Sequence, residues 1–156
     1  SAAVCYGVLT LVFQRLGKHS AAAGELVRAG LCLGGRRVEL TALIDTGNTL
    51  TDPASGQSVM VAEGVRLSAL FPSDHRPGPA DLSSPVDGIA RLGTEGWKSR
   101  FRLLPYRSVG VERGLLLAVK ADALDLNGEG RGPVLVALSP TPVSDGGGYQ
   151  ALIGPM

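Results

Sequence analysis

Leu40-Thr41-Ala42-Leu43-Ile44-Asp45-Thr46-Gly47-Asn48-Thr49-Leu50 is an apolar run that ends abruptly in an acid, a hydroxyl and a glycine. Leu40 to Ile44 reads as a short buried strand. It carries Asp45 to the edge of a core, where an isolated carboxylate is expensive to ionise. Gly47 permits a tight turn, and the Thr46 hydroxyl can hydrogen-bond locally to hold it. Taken alone, the segment is also readable as a strand followed by an Asx-type turn capped by Asp45.

Outward from this stretch, the pattern is that of short strands and turns. The chain has 156 residues with 22 Gly and 10 Pro, enough for one domain with its own core and many turns, which favours an all-β fold. Glu25 to Leu33 and Arg36 to Ile44 alternate as two antiparallel strands, and Gly34-Gly35 supplies the positive φ of a two-residue hairpin. Pro53 to Gly56 reads as a turn, Ser58 to Ala62 as a strand, and Val65 to Phe71 as one or two helical turns. Pro72 to Pro85 reads as an exposed loop that carries His75. Gly88 to Leu92 and Trp97 to Tyr106 alternate as strands about a Gly93-Gly96 turn. Phe101 to Tyr106 and Leu115 to Lys120 form apolar arms around a polar, glycine-bearing tip. Asn127 to Gly132 is a turn without the Lys-Ser/Thr of a phosphate-binding loop. Val134 to Leu138 suits a central strand, and Tyr149 to Ile153 the last one.

A net charge of +1 gives no global pointer to nucleic acid. Cys5 and Cys32 read as small buried hydrophobes rather than a disulfide, and no metal-ligand spacing exists. Ala2 to Phe13 is almost wholly apolar before Arg15 and Lys18, too short alone to span a bilayer. The basic residues after it suit the cytoplasmic end of a span, although a signal-peptide remnant or an amphipathic helix fits the same run. Residues 1–24 are therefore read as a membrane-proximal tail and 25–156 as the functional domain, with His19 a solvated residue of the tail.

Near the chain's end, Ala151-Leu152-Ile153-Gly154 repeats the apolar-apolar-Gly theme. Apolar-apolar-Asp-Thr-Gly followed much later by apolar-apolar-Gly resembles the retropepsin-like aspartic peptidases. The finer text, Ala42 through Thr51-Asp52-Pro53, is similar to the sporulation sigma-factor-processing peptidases of endospore-forming bacteria. So are Arg102-Leu103-Leu104-Pro105-Tyr106-Arg107-Ser108-Val109-Gly110, Gly114-Leu115-Leu116-Leu117 and Val134 to Leu138. The likeness runs from about Leu31 onward. Asn48 departs from the Ala or Ser usual after Asp-Thr-Gly in viral and pepsin-like enzymes, but suits the sporulation peptidases.

The resemblance implies an all-β retropepsin-like acid-protease barrel with a flap hairpin, one half of a twofold dimer. It implies Asp45 as the catalytic acid, with Thr46 and Gly47 supporting the loop, and Val109 and Gly110 at the flap tip contacting substrate. It implies no cofactor and no metal. The substrate would be the pro-form of a sporulation sigma factor. A forespore-derived signalling protein would act through a membrane domain preceding the peptidase, at the mother-cell membrane with the peptidase on the cytoplasmic side. Peptide hydrolysis of this kind needs two carboxylates sharing one proton, because like charges some 3 Å apart cannot both ionise. The chain contains a single Asp-Thr-Gly, so the pair requires two copies.

Two rivals use the same residues. Asp45, Thr49 and Leu50 match part of the Asp-x-Asp-x-Thr-Leu phosphotransferase motif, but Gly47 stands where its second acid belongs, and no βαβ alternation follows. The other rival is a non-catalytic β-barrel that binds a peptide or partner by strand addition, with Asp45 merely capping a turn.

Overall fold

The computed structural model describes residues 24–45, 50–108 and 111–154, and within them side chains other than those of 107, 108 and 111–113. Nearly all of the tail expected over residues 1–24 lies outside the described residues, as do Cys5, His19, Thr46, Gly47, Val109 and Gly110. Among the described residues no helix is long and apolar enough to cross a membrane.

Seven strands form the domain: β1 (Glu25–Leu33), β2 (Arg36–Ile44), β3 (Met60–Glu63), β4 (Phe101–Ser108), β5 (Val111–Leu126), β6 (Glu129–Ser139) and β7 (Ala151–Ile153). β1 and β2 pair in register from Glu25 opposite Ile44 to Leu33 opposite Arg36. Gly34 and Gly35, at φ of 57° and 82°, make the tight turn between them. Along the sheet the order is β1-β2-β7-β3-β6-β5, and β1 pairs again with the end of β5. Six strands therefore close into a barrel, and β4 extends outward from β5. Register breaks in β5, between Ala121 and Leu124 and between Leu124 and Asp125, let this long strand turn the corner from the β4 side to the closing pair. The expected all-β barrel is thus present.

Two pairings depart from an all-antiparallel barrel: β2 with β7 and β3 with β6 run parallel. Alternation in sequence reports which face a side chain takes, not which way its neighbour runs. Parallel neighbours need long connections, and both pairs are widely separated in sequence.

Three sequence expectations are corrected between Gly64 and Arg100. A 3₁₀ helix spans Gly64–Leu70, as the helical-turn reading anticipated, and a second 3₁₀ turn spans Ser73–His75. Pro72 to Pro85 is not an exposed loop, because it contains this turn and the helix α1 (Pro79–Ser83). Gly88 to Leu92 is not a strand but the end of α2 (Pro85–Leu92). Each α-helix has a proline in its first turn, where the missing N–H costs nothing. Asp81 accepts bonds from the Gly78 N–H and the Arg91 guanidinium, tying the two helices together. Gly88 sits where the helices touch: a Cβ there would meet the Asp81 backbone at 2.8 Å. His75 is buried rather than solvated, its ring stacked on Trp97 and its Nδ1 2.9 Å from the Leu92 carbonyl oxygen. Cys32, expected to be buried, is a half-exposed free thiol 3.7 Å from an Arg37 guanidinium nitrogen.

Two apolar layers result. Inside the barrel, Val27, Ala29, Leu31, Leu40, Ala42, Met60, Leu117, Val136 and Ile153 pack with Phe71 and Leu92 from the helical segment. Outside it, Leu43, Val61, Leu104, Leu116, Ala118, Leu135 and Leu152 form a second layer, joined by Leu50, Tyr106 and Tyr149. The β4–β5 hairpin contributes Leu104, Tyr106, Leu116 and Ala118 to this second layer.

Candidate active site

Strand β2 alternates inward and outward, so Ala42 faces the barrel interior while Leu43 faces the outer layer. Asp45 follows Ile44 at the strand's end and is 0% exposed. Its position is fixed by β7, which pairs parallel with β2 through Ala42 opposite Ala151 and Ile44 opposite Ile153. The Asp45 N–H donates to the Ile153 carbonyl at 2.8 Å. One residue pair beyond the ladder's other end, Gln150 N–H donates to Thr41 O at 2.9 Å, and the Thr41 N–H donates to the Gln150 side-chain carbonyl at 3.1 Å. Ala151 to Ile153 thus lies beside the strand that ends at Asp45. A backbone hydrogen bond and a strand ladder now hold an acid that the sequence placed only at the edge of a core.

Electrostatics around Asp45 reach Tyr149. Burial, then the negative charge of Asp45 and that of Asp145, push the Tyr149 phenol above its ordinary range. Tyr149 therefore stays a neutral donor at neutral pH beside the acid's layer. Sequence reasoning placed Tyr149 only in the last strand. A spacing of two from Ala151 in one strand would put it on the inner face; it joins the outer layer instead because β7 begins only at Ala151.

The β4–β5 hairpin runs from Phe101 opposite Val119 to Ser108 opposite Val111, with a register break between Tyr106 and Ser108. Its arms send Leu104, Tyr106, Leu116 and Ala118 into the same outer layer as Leu43 and Leu152. The two apolar arms expected of the hairpin are present as β4 and β5. Of the predicted site residues, the structure describes Asp45 and the hairpin arms; Thr46, Gly47, Val109 and Gly110 lie outside the described residues.

A second polar element went unrecognised in the sequence. Asp52 is 8% exposed and accepts from the Ala54 N–H at 3.0 Å, from the Ser55 hydroxyl at 3.0 Å and from the Arg102 guanidinium at 3.0 Å. The Ala54 hydrogen bond chiefly, with Ser55 and the Arg102 charge, holds its carboxyl below the usual carboxylate range. This tie fastens the turn after Leu50 to the base of the hairpin. The Asp52-Pro53-Ala54-Ser55 text signals the Asx turn, but not the distant arginine. Among the described residues no three His, Cys, Asp or Glu side chains converge as a metal site.

The chain matches the model of a family described as sporulation factor SpoIIGA over residues 1–156. It is 30% identical over 140 residues to a protein of Bacillus thuringiensis subsp. kurstaki named as a candidate sporulation sigma factor-processing peptidase, with 84% of this chain and 83% of that protein covered. Two proteins named sporulation sigma-E factor-processing peptidase are similar as well. That of Priestia megaterium is 31% identical over 137 residues, and that of Bacillus subtilis 29% over 141. Each alignment takes in 84% of this chain but only 43% and 44% of those proteins, so the chain spans less than half of their length. No solved structure matches.

Proposed function

The chain belongs to the sporulation factor SpoIIGA family, and we propose from that premise that it is an aspartic endopeptidase whose substrate is the pro-form of a sporulation sigma factor. The observation that carries the reading is Asp45: an acid with no exposed surface, held at a strand end by the Ile153 carbonyl, its charge acting on Tyr149 of the outer apolar layer. A carboxylate in that setting costs free energy to keep, and a fold whose only need was a turn cap would place it in water.

Two copies assemble about a twofold axis, each contributing one Asp45. The ionised carboxylate takes a proton from a water held between the pair, and the oxygen of that water attacks the scissile carbonyl carbon. The neutral carboxyl hydrogen-bonds to the carbonyl oxygen as charge develops there. The tetrahedral intermediate then collapses, and the proton taken from water passes to the departing amine. Thr46 braces the paired loops, and Gly47 lets their backbones approach. Val109 and Gly110 meet the substrate backbone while the hairpin excludes water.

The peptidase domain works at the mother-cell membrane, on the cytoplasmic side. The apolar run from Ala2 to Phe13 followed by Arg15 and Lys18 supports that placement. Anchoring raises the local concentration of protomers, so a weak dimer suffices. A forespore-derived signalling protein acting through a membrane domain switches the enzyme on. The test is cleavage of a pro-sigma factor by the intact protein, wild type against Asp45→Ala, with dimerisation followed in parallel. Loss of cleavage in a variant that still dimerises supports the shared dyad. Undiminished cleavage by the variant removes Asp45 from the chemistry and favours a peptide-binding barrel.

A further inference from the structure

The outer face of the barrel carries a cleft that the proposed chemistry leaves unused. It lies between the 52–58 turn and strands β4, β5 and β6, and measures about 160 Å³. Leu135 gives it an apolar surface, while Asp52, Ser55, Ser58, Arg102 and Lys120 give it polar ones.

The charges there do not balance. Asp52 and Arg102 are committed to each other at 3.0 Å. Lys120 has no such match: among the described residues, no carboxylate stands within ion-pair distance of its ammonium. Arg102 lies opposite Ala118, and Lys120 is two positions further along the same face of β5. Diagonal neighbours of that kind stand about 7–8 Å apart, so the cleft holds two cations against one anion. An exposed cation in a concave polar site, beside an ion pair already satisfied, is an incomplete pair waiting for an acid.

Its position suits a substrate. Leu50, which leads into the turn, and Leu135, which lines the cleft, both belong to the outer layer shared by Leu43 and Leu152. The segment from Asp45 to Asp52 spans at most about 24 Å even when fully extended. A bound peptide strand advances about 3.3 Å per residue, so it reaches the cleft within about seven residues of the bond being cut.

We propose that this cleft is a specificity subsite for an acidic side chain of the peptide substrate, with the Lys120 ammonium as counter-charge and the Asp52–Arg102 pair as its rigid wall. The proposal rests on the peptidase reading above. The test uses the intact protein and the pro-form of a sigma-E factor in which each Asp and Glu near the cut is changed singly to Gln and to Lys. At one position the wild type loses about tenfold in kcat/KM when the acid becomes Lys, Lys120→Gln is indifferent to that change, and Lys120→Glu prefers the Lys substrate. Because Lys120 is exposed, all three proteins show the same melting temperature. Equal turnover of every substrate by wild type and both variants overturns the subsite and leaves the peptidase standing. Absence of turnover by the wild type on any of them overturns the peptidase reading, and the subsite with it.

Discussion

Gly114→Ala is the change that best exposes how the hairpin is built. Gly114 lies directly opposite Tyr106 in the β4–β5 ladder. A Cβ added there would fall among the Cζ, Cε1 and Oη atoms of the Tyr106 ring, far inside van der Waals distance. The tyrosine ring thus lies across the bare glycine backbone, and from that position it joins the outer layer with Leu43, Leu104 and Leu116. Without this clash, replacing a strand glycine by alanine gains about 0.5–1 kcal/mol by lowering unfolded-state entropy. With it, the ring must move by an ångström or more, at an overpacking cost of about 1–3 kcal/mol. The single variant should lose net stability, about 1–2 kcal/mol or roughly 2–8 °C in melting temperature for a chain of this size.

The decisive assay is a double-mutant cycle by urea unfolding. In a Tyr106→Ala background nothing opposes the new methyl group, so Gly114→Ala should there become stabilising. A reversal of sign between the two backgrounds identifies the ring as the obstacle. If Gly114→Ala stabilises both backgrounds equally, Tyr106 does not hold the position argued here. On the proposed peptidase reading, cleavage by the single variant should fall as well, because Tyr106 is displaced from the outer layer.

On the proposed shared dyad, Asp45→Asn should cut kcat/KM by at least about 10⁴-fold, since it removes both proton-transfer roles and each is worth about 10²–10⁴. Its melting temperature should equal or exceed the wild type's, because a neutral amide is cheaper to bury than a carboxylate; a large fall in stability would make Asp45 structural instead. The carboxyls of Asp52 and Asp81 are held below the usual range, the first chiefly by the Ala54 N–H and the second chiefly by the Arg91 guanidinium. Their stabilising effect is complete above the unfolded carboxylate range and is lost as pH falls toward the folded values, so melting temperature should stay level from pH 7 to about pH 5 and drop below about pH 4. Asp81→Asn should lower the melting temperature at pH 7 and flatten that acid slope, and an unchanged slope would refute the assignment. His75→Ala should destabilise by about 1–3 kcal/mol by leaving the Leu92 carbonyl without its partner and unstacking Trp97. The tryptophan emission should then shift to the red.

How much of this was legible in the chain varies with the range of the interactions involved. The β1–β2 hairpin was readable because two local signals agree: alternation on both arms and two glycines between them. The turn read over Asn127 to Gly132 holds only at Asn127 and Gly128, both of positive φ, because Glu129 to Gly132 already belong to β6. The helical segment was misread because its signals compete. Pro, Ser, Asp and Gly between Pro72 and Gly88 fit a loop as well as two short helices begun by prolines. What decides for helices is tertiary: Asp81 bridging to Arg91, and Leu82 and Leu92 buried against the barrel. His75 was read as solvated for the same reason, since Trp97 lies too far along the chain to be paired with it by periodicity. At the site, Asp45 stood out because an acid at the end of an apolar strand is costly. The Tyr149 and Arg102 contributions did not, because each depends on which strands become neighbours.

Strand direction makes the two glycine-ended motifs into one site. β7 is inserted between β2 and β3, parallel to the first and antiparallel to the second. Because it runs parallel to β2, Ile44 and Ile153 end their strands at the same end of the sheet, and Asp45 and Gly154 follow there. That is why the Asp45 N–H finds the Ile153 carbonyl. In an antiparallel pairing the chain after Ile153 would emerge at the far end of the ladder, and Gly154 would be a strand's length from Asp45. No hairpin can make this arrangement, so the connection must wander through the helical segment, the β4–β5 hairpin and β6 before β7 returns. The site is therefore the most non-local feature of the fold, and the acid gains its backbone anchor only when the last strand has closed on the first hairpin. All three residues of β7 are buried. A substitution in that strand thus acts on stability and on the setting of Asp45 together, which couples activity to the completeness of the core.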